Sequence, residues 1–146
     1  MSEQEVEILL VEDNESDLEL SLRALKKINL TNKVLAVRDG AQALDYLFAT
    51  GEFSGRNGFA HPRLVLLDLK LPKVDGIEVL RRIRSDPRTA LVPVVVLTSS
   101  AEERDRLATY KLGANSFIVK PVEFDSFSRA VTEIGMYWML LNRTAS

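Results

Sequence analysis

The stretch Leu64-Val65-Leu66-Leu67-Asp68 decides the fold, because it is an uninterrupted apolar run that ends in a carboxylate. Apolar runs that do not alternate with polar residues are typical of strands buried on both faces of a parallel sheet. A buried carboxylate is destabilising unless it is paired or binds a cation. Ligands of open α/β sheets bind outside the carboxyl ends of the strands, so Asp68 is a candidate functional residue.

Polar residues follow three other apolar runs of the chain in the same way. They are Glu12 and Asp13 after residues 8–11, Thr98 after residues 94–97, and Lys120 after residues 117–119. Each has an ordinary explanation by itself, because acids favour a helix N-terminus, a threonine can cap a turn and most lysines are solvated. If the strands are parallel neighbours, however, these side chains converge with Asp68 on one site.

Between the apolar runs, hydrophobic residues recur at helical spacing. The pattern predicts five strands, at about residues 6–11, 34–37, 64–67, 92–97 and 117–119. It also predicts five helices. The first begins at Asn14, the second contains Ala43 and ends at Gly51, the third runs from Ile77 to Asp86, the fourth begins with a capping box of Ser100 and Glu103 and ends at Gly113, and the fifth runs from Glu123 to Asn142. Five strands alternating with five helices predict an α/β fold, a doubly wound (βα)5 parallel sheet covered on both faces.

The composition limits the possible functions. A chain of 146 residues, 46% of them hydrophobic, is long enough for one domain with a sizeable core. The formal charge of −2 gives no electrostatic basis for nucleic-acid binding. The sequence contains no membrane-length apolar run, no signal peptide pattern and no cysteine. We therefore expect a cytoplasmic protein that binds neither nucleic acid nor a membrane.

The candidate site suggests phosphoryl chemistry. Several carboxylates in one cleft repel one another unless a cation lies between them, and Mg²⁺ prefers such oxygen ligands. Asp68 can act as a nucleophile that forms an acyl-phosphate. Lys120 can neutralise a phosphoryl oxygen, and Thr98 can donate a hydrogen bond to another.

These residues occur within motifs that resemble the receiver domain of two-component response regulators. The motifs are Val11 to Asn14, Leu66 to Pro72, Asp75-Gly76, Leu97 to Ser99, Gly113-Ala114 and Lys120-Pro121, in that order along the chain. The resemblance covers nearly the whole sequence and implies a flavodoxin-like receiver fold with strand order 2-1-3-4-5. It also implies that Asp68 is phosphorylated by a histidine kinase.

The resemblance assigns a role to each site residue. It implies that Mg²⁺ or Mn²⁺ is held by Asp13, Asp68 and the Lys70 backbone carbonyl, with Glu12 acting through water. Thr98 and Lys120 would contact the phosphoryl group, and Phe117 would be the aromatic switch residue. The peptide bond before Pro121 would be cis. In the family, the positions of Lys70 and Ser100 tune dephosphorylation, so the phosphoryl lifetime is left open.

A narrower resemblance is to the single-domain regulators paired with bacterial phytochrome histidine kinases. It rests on the loop at residues 52–62, Leu71 to Lys73, Lys120 to Phe124, and the ending at residues 137–142. It implies one receiver domain over residues 1–146, with a core at about 5–142 and no output domain. The signal would then leave through the surface of the receiver itself.

The predicted last helix carries an apolar stripe that should cover the sheet. Met136, Tyr137, Met139 and Leu140 lie mostly off this stripe, so the end of the helix is apolar nearly all round. We expect this second apolar face to form a homodimer interface, or alternatively to dock only on the kinase.

Two other functions compete with a phosphorylation switch. One is a Mg²⁺-dependent phosphohydrolase with an aspartyl nucleophile, similar to haloacid-dehalogenase-type enzymes. Those enzymes place a second acid two residues after the nucleophile, where this sequence has Lys70, which argues against rapid turnover. The other is a constitutive scaffold that does not use phosphorylation, against which the full set of site residues argues.

Overall fold

The computed structural model describes residues 6–27, 34–56, 61–99 and 109–135. The strands are β1 (Ile8–Val11), β2 (Val34–Val37), β3 (Leu64–Asp68), β4 (Val94–Thr98) and β5 (Ser116–Val119). The helices are α1 (Glu15–Lys26), α2 (Gly40–Phe48), a short 3-10 helix (Gly51–Phe53), α3 (Gly76–Ser85), α4, of which residues 109–111 are described, and α5 (Phe124–Glu133). In these segments, no helix is both long and apolar enough to cross a membrane.

The five strands form one parallel sheet with the order β2-β1-β3-β4-β5, as predicted. Val11 at the end of β1 is opposite Leu67, and Asp68 at the end of β3 is opposite Leu97. Thr98 is in turn opposite Val119. This register brings the carboxyl ends of β1, β3, β4 and β5 to one edge of the sheet.

Successive residues of each strand point to opposite faces, so the sheet has a core on both sides. Leu10 and Leu66 pack with residues of α1 and α5 on one face. Leu9 and Val65 pack with residues of α2 and α3 on the other. Burial on both faces explains why the strands are continuously apolar, and it confirms the doubly wound architecture.

The end of α2 differs from the sequence prediction, which placed it at Gly51. The helix ends at Phe48, and Ala49 takes a left-handed conformation with φ of 55°. The Thr50 hydroxyl donates to Asp45 at 2.9 Å, and the Thr50 N–H donates to the Asp45 carbonyl, which turns the chain out of the helix early. Gly51 then begins the 3-10 helix.

The last helix is also shorter than predicted. The predicted apolar stripe is confirmed at Phe127 and Val131, which are fully buried. However, α5 ends at Glu133. Gly135 has φ of 78°, the left-handed conformation of a glycine that follows a helix C-terminus. The predicted continuous helix to Asn142 is therefore interrupted. The proposed interface residues Met136, Tyr137, Met139 and Leu140 lie outside the described residues, as do Ser100 and Glu103 of the predicted capping box.

Arg81, Arg82 and Arg84 cluster on α3, and from the sequence such a cluster is expected to form a charged outer face, but Arg84 does not belong to that face. Its guanidinium donates to the Gly113 carbonyl at 2.8 and 3.0 Å, to the Ala90 and Val92 carbonyls at 3.1 and 2.7 Å, and to Asn115 Oδ1 at 2.8 Å. Burial lowers the pKa of this arginine. Arg84 therefore joins the end of α3 to the turns before β4 and β5.

We expect Arg84→Met to lower the free energy of unfolding by about 1.5 kcal/mol, because half-buried carbonyls lose their donor. Arg82 is exposed on the same helix, so Arg82→Met is the matched control and should change stability by less than about 0.5 kcal/mol. Urea unfolding followed by circular dichroism measures both. Equal values for the two variants would show that the Arg84 hydrogen bonds do not stabilise the fold.

Candidate functional site

The polar residues predicted at the strand ends come together at the carboxyl edge of the sheet. Glu12 is fully buried, while Asp68 is 4% exposed and Asp13 is exposed. Carboxylate oxygens of these three residues lie within 4.8 Å of one another. Glu12 extends β1 by one residue, because its N–H donates to the Val37 carbonyl of β2 at 3.0 Å. The sheet itself thus positions an acidic cluster.

Lys120 lies at the centre of this cluster. Its Nζ donates to Asp68 Oδ2 at 3.0 Å, to Asp17 Oδ2 at 3.0 Å, and to Glu12 Oε1 at 3.2 Å. Its side chain is only 10% exposed, so the ordinary explanation of a solvated lysine does not apply. An ammonium has three N–H donors, and three carboxylates from β1, α1 and β3 therefore satisfy them all.

The cluster shifts the proton affinities of its members. Burial, together with a hydrogen bond to Asp68 and the negative charge of Asp68, raises the pKa of Glu12 from 4.5 to about 7. Lys120 and the Asn14 N–H oppose this rise by stabilising the Glu12 carboxylate. Burial by itself lowers the pKa of Lys120, but hydrogen bonds to Asp17 and Asp68 outweigh it, so the pKa is raised above 10.5. Lys120 is a permanent cation at physiological pH.

Thr98 contributes a buried hydroxyl that has no hydrogen-bond partner among the described residues. It ends β4 next to β3, and its side chain is 5% exposed. Among the described residues, its Oγ1 makes no hydrogen bond. A buried hydroxyl of this kind is unfavourable, so the site contains a donor that an additional oxygen-rich group can satisfy.

The loop after Asp68 helps to fix the position of the Asp68 carboxylate. The Lys70 N–H donates to Asp68 Oδ1 at 3.2 Å, and the Gly76 N–H donates to the Leu69 carbonyl at 2.9 Å. A Cβ on Gly76 would lie 2.3 Å from the Asp68 carbonyl oxygen, so only glycine lets α3 begin this close to the site. Asp75 caps α3 by accepting from the Glu78 N–H.

A cavity of about 550 Å³ opens beside the acidic cluster. It is lined by Asp13, the loop after Asp68 and the first turns of α3. Lys70 forms part of this lining. The cavity thus meets the acidic cluster at Asp13, its exposed member.

Phe117 lies on β5, on the side of the sheet edge near α4. It is half-buried, and its ring meets Tyr110 edge-to-face with centroids 4.3 Å apart. Tyr110 is 56% exposed. The Lys120-Pro121 peptide bond, just after β5, is cis. The predicted cis-proline therefore lies just beyond the carboxyl end of β5, next to Lys120, whereas Phe117 lies two residues before that end, opposite Val96 of β4.

Asp17 is a site residue that the sequence does not indicate. It follows Asn14 by three residues and so lies in the first turn of α1, where a negative charge is favoured anyway. The structure shows that its carboxylate contacts Lys120, 103 residues away in the sequence. The N-cap residue Asn14 predicts that Asp17 lies in the first turn of the helix, but it does not predict which residue the Asp17 carboxylate contacts.

The residues present fit a divalent cation. Oxygen donors from Glu12, Asp13 and Asp68 lie close enough to share one ion. Hard cations such as Mg²⁺ bind carboxylate and carbonyl oxygens together with water. Burial is the main cause of the raised pKa of Glu12, and the negative charge of Asp68, which such a cation would neutralise, adds to it. The chemistry of the donor set therefore agrees with the predicted metal site.

The fold and the site define a response regulator receiver. Residues 8–132 match the family described as "Response regulator receiver domain", and the chain belongs to this family. The match covers all five strands and nearly all of α5, so the fold and its carboxyl-edge site fall within it. Nothing in the similarities supports the phosphohydrolase or scaffold alternatives.

Several of the similar solved structures are described as phytochrome response regulators. The solved structure of the bacteriophytochrome response regulator AtBRR is 55% identical, with a TM-score of 0.82, over 92% of this chain and 96% of that one. Response regulator Rcp1 of Synechocystis is 38% identical over 90% of this chain and 88% of its own. A solved structure of Rcp1 is described as its Mn²⁺-bound form, with a TM-score of 0.73, 36% identity and coverage of 92% and 93% of the two chains.

One curated relative has a different label. The probable methanogenesis regulatory protein FilR2 of Methanothrix harundinacea is 45% identical over 94% of this chain and 86% of its own. The chain is therefore similar both to phytochrome response regulators and to a regulator with another named output.

Proposed function

We propose that this receiver is a phosphorylation switch in which Asp68 accepts a phosphoryl group from a histidine kinase. An oxygen of the Asp68 carboxylate attacks the phosphorus of a phosphohistidine, and a P–O bond forms as the P–N bond breaks. The electron pair of that bond stays on the imidazole nitrogen, which takes up a proton. The product is an acyl-phosphate on the receiver and a free histidine on the kinase.

The contact between Lys120 Nζ and Asp68 Oδ2, at 3.0 Å, carries this proposal. It places a permanent cation beside the oxygen that would become phosphorylated. Charge that develops on a transferring phosphoryl group is stabilised best by groups already in position. The Thr98 hydroxyl, which has no hydrogen-bond partner in the part of the chain that the structure describes, would supply a donor for a second phosphoryl oxygen.

Glu12, Asp13, Asp68 and the Lys70 backbone carbonyl would hold a divalent cation, Mg²⁺ or Mn²⁺. When bound, this cation neutralises negative charge shared by the carboxylates and the phosphoryl group. Asp13 is the exposed member of the set and lines the cavity, so it faces the incoming ion. Glu12 is fully buried and would act through water.

The output of the switch would be a changed protein surface. After phosphorylation, Thr98 moves toward the phosphoryl group and leaves room for Phe117 to turn inward. Because Phe117 meets the half-exposed Tyr110, its movement alters the surface formed by α4 and β5. The phosphoryl group biases this surface only as far as it interacts differently with the two conformations.

The 55% identity to the bacteriophytochrome response regulator AtBRR supports a phytochrome-type sensor kinase as the partner. We also propose that this receiver is cytoplasmic, binds no nucleic acid and forms a homodimer through Met136, Tyr137, Met139 and Leu140. Sedimentation velocity with and without phosphorylation tests the homodimer. A monomer under both conditions at tens of micromolar would exclude it.

Incubation with Mg²⁺ and acetyl phosphate, followed by intact mass measurement, tests the phosphorylation proposal. The wild type should gain one phosphoryl group only when Mg²⁺ is present, and Asp68→Asn should gain none. Beryllofluoride, which mimics the phosphoryl group without being hydrolysed, distinguishes rapid dephosphorylation from no reaction. The proposal fails if the wild type forms neither the phosphoryl adduct nor the beryllofluoride complex.

We expect Mg²⁺ to raise the melting temperature of the wild type, because an ion that binds only the folded state stabilises it. Asp13→Asn should lose most of this increase, since it removes one carboxylate from the cluster. Asp125→Asn is the control, because Asp125 is an exposed acid at the start of α5. Differential scanning fluorimetry over a Mg²⁺ titration measures all three. An unchanged Mg²⁺ response in Asp13→Asn would contradict the metal assignment.

A further inference from the structure

The turn between β1 and α1 forms a hydrogen-bonded unit around the ammonium of Lys120. The Asn14 N–H donates to Glu12 Oε2 at 3.2 Å, and Asn14 Oδ1 accepts from the Asp17 N–H at 2.9 Å. Asn14 thereby fixes both Glu12 and Asp17. The side chains of these two acids then both accept from Lys120 Nζ.

Asp17 has no part in the acceptor or metal cluster. Carboxylate oxygens of Glu12, Asp13 and Asp68 lie within 4.8 Å of one another, and Asp17 is not in that group. Its contact with Lys120 is nevertheless as short as that of Asp68, at 3.0 Å. The Asp17 side chain is 29% exposed, so water can reach its carboxylate, and yet the carboxylate contacts the Lys120 ammonium.

The three carboxylates around Lys120 differ in what phosphorylation does to them. The Asp68 carboxylate becomes an acyl-phosphate, whose negative charge lies on the phosphoryl oxygens, and Glu12 belongs to the set of oxygens that would face a divalent cation. Asp17 belongs to neither group, so its carboxylate would stay in place as an acceptor for the ammonium while the acyl-phosphate forms. It is therefore the constant hydrogen-bond acceptor for the ammonium.

From this geometry we infer that Asp17 is a positioning residue for phosphoryl transfer, which holds Lys120 beside the acceptor oxygen of Asp68. The inference rests on the proposed function and extends it to a residue outside the acceptor and metal cluster. A lysine side chain has many rotamers, and fixing it beforehand avoids an ordering penalty during the reaction. Misplacement of a catalytic group by a small distance lowers the rate by large factors.

The sharpest test compares Asp17→Ala with Asp17→Asn. Asparagine keeps an oxygen that can accept from Lys120, whereas alanine removes it. The initial rate of phosphoryl incorporation from acetyl phosphate, at saturating Mg²⁺, should fall about tenfold in Asp17→Ala and stay within about twofold of the wild type in Asp17→Asn. Glu19→Ala is the control, because it removes an acid from the exposed face of the same helix, where Glu19 pairs with Arg23.

A second measurement follows Lys120 itself. The ¹⁵N resonance of its ammonium, assigned by its loss in Lys120→Arg, should be sharp in the wild type and in Asp17→Asn. It should be broadened by proton exchange in Asp17→Ala, because one of its three hydrogen bonds is missing. A role for Asp17 that is confined to the stability of α1 would leave this resonance unchanged.

Several results would overturn the inference. These are a wild-type rate in Asp17→Ala, equal slowing in the alanine and asparagine variants, faster incorporation in either variant, or the same loss in Glu19→Ala. If the wild type acquires no phosphoryl group, it is the proposed function that fails. The Lys120 resonance then still decides whether Asp17 fixes the ammonium.

Discussion

Lys120→Met should lower the free energy of unfolding by about 3 kcal/mol at pH 8 in the absence of divalent cations, because it leaves buried carboxylates without their cation. Glu12 is fully buried and the Asp68 side chain is 6% exposed, so water compensates for little of the lost ion pairing. Methionine retains most of the apolar stem, so the change in stability reports the charge rather than a cavity.

Mg²⁺ should restore a large part of the stability of Lys120→Met, because a divalent cation replaces the missing positive charge in the cluster. Urea unfolding at pH 8, with and without Mg²⁺, measures both effects. Lys73→Met is the matched control: Lys73 is 69% exposed at its side chain, and its Nζ lies 3.6 Å from Asp39. The Lys73 ammonium is solvated, and Asp39 keeps its hydrogen bond from the Gln42 N–H, so we expect this pair to contribute less than about 1 kcal/mol. Similar losses in Lys73→Met and Lys120→Met would refute the buried-cluster argument.

Lys120→Met should also slow phosphoryl incorporation by at least about 100-fold, which corresponds to the loss of a preorganised charge at the transferring group. Excess Mg²⁺ should recover stability but not this rate, because the ion and the ammonium occupy different places around Asp68. Recovery of both by Mg²⁺ would mean that Lys120 acts only as a counter-charge.

The sequence was sufficient to predict the sheet and the residues at its edge. Continuous apolar runs such as residues 64–67 have few alternatives to a strand buried on both faces, and a polar residue directly after each run must lie at the carboxyl end. Asp68, Thr98 and Lys120 were found in this way, and the matched family agrees with the fold. The strand order itself came from the resemblance, because local patterns do not specify which strands are neighbours.

The sequence was not sufficient where a side chain acts on a distant segment. Arg84 was assigned to a solvated helix face, but its acceptors at Gly113 and Asn115 lie 29 and 31 residues further along the chain. Asp17 faces Lys120 for the same reason, since three-dimensional packing brings α1 to the end of β5. The early end of α5 had a local signal in Gly135, which the continuous apolar stripe concealed.

Glu12→Gln should stabilise the metal-free protein at pH 8 while it impairs the site. The pKa of Glu12 is raised from 4.5 to about 7, chiefly by burial and by its hydrogen bond and repulsion with Asp68. The folded state therefore binds a proton more tightly than the unfolded state between these values, so the stability of the wild type falls as pH rises through this window. The rise corresponds to ~3 kcal/mol at most.

Glutamine cannot ionise, so the unfolding free energy of Glu12→Gln should be nearly flat from pH 4.5 to 7. At pH 8 it should exceed that of the wild type by about 2 kcal/mol, since part of the gain is offset by a weaker contact with Lys120. Urea unfolding across this pH range without divalent cations measures the difference, with Glu19→Gln as an exposed control. A wild-type pH profile in Glu12→Gln would show that another group causes the slope.

The same substitution should weaken Mg²⁺ binding at least about tenfold, measured by calorimetry, because it removes a negative charge that the ion neutralises. Stability and function thus make opposite demands on Glu12. Under the proposed metal assignment, the buried charge that destabilises the metal-free protein would also attract the cation, which would neutralise the repulsion between Glu12 and Asp68. An increase in stability accompanied by a loss of Mg²⁺ affinity in Glu12→Gln would show that Glu12 lowers stability and raises cation affinity, whereas an unchanged affinity would contradict its place in the metal site.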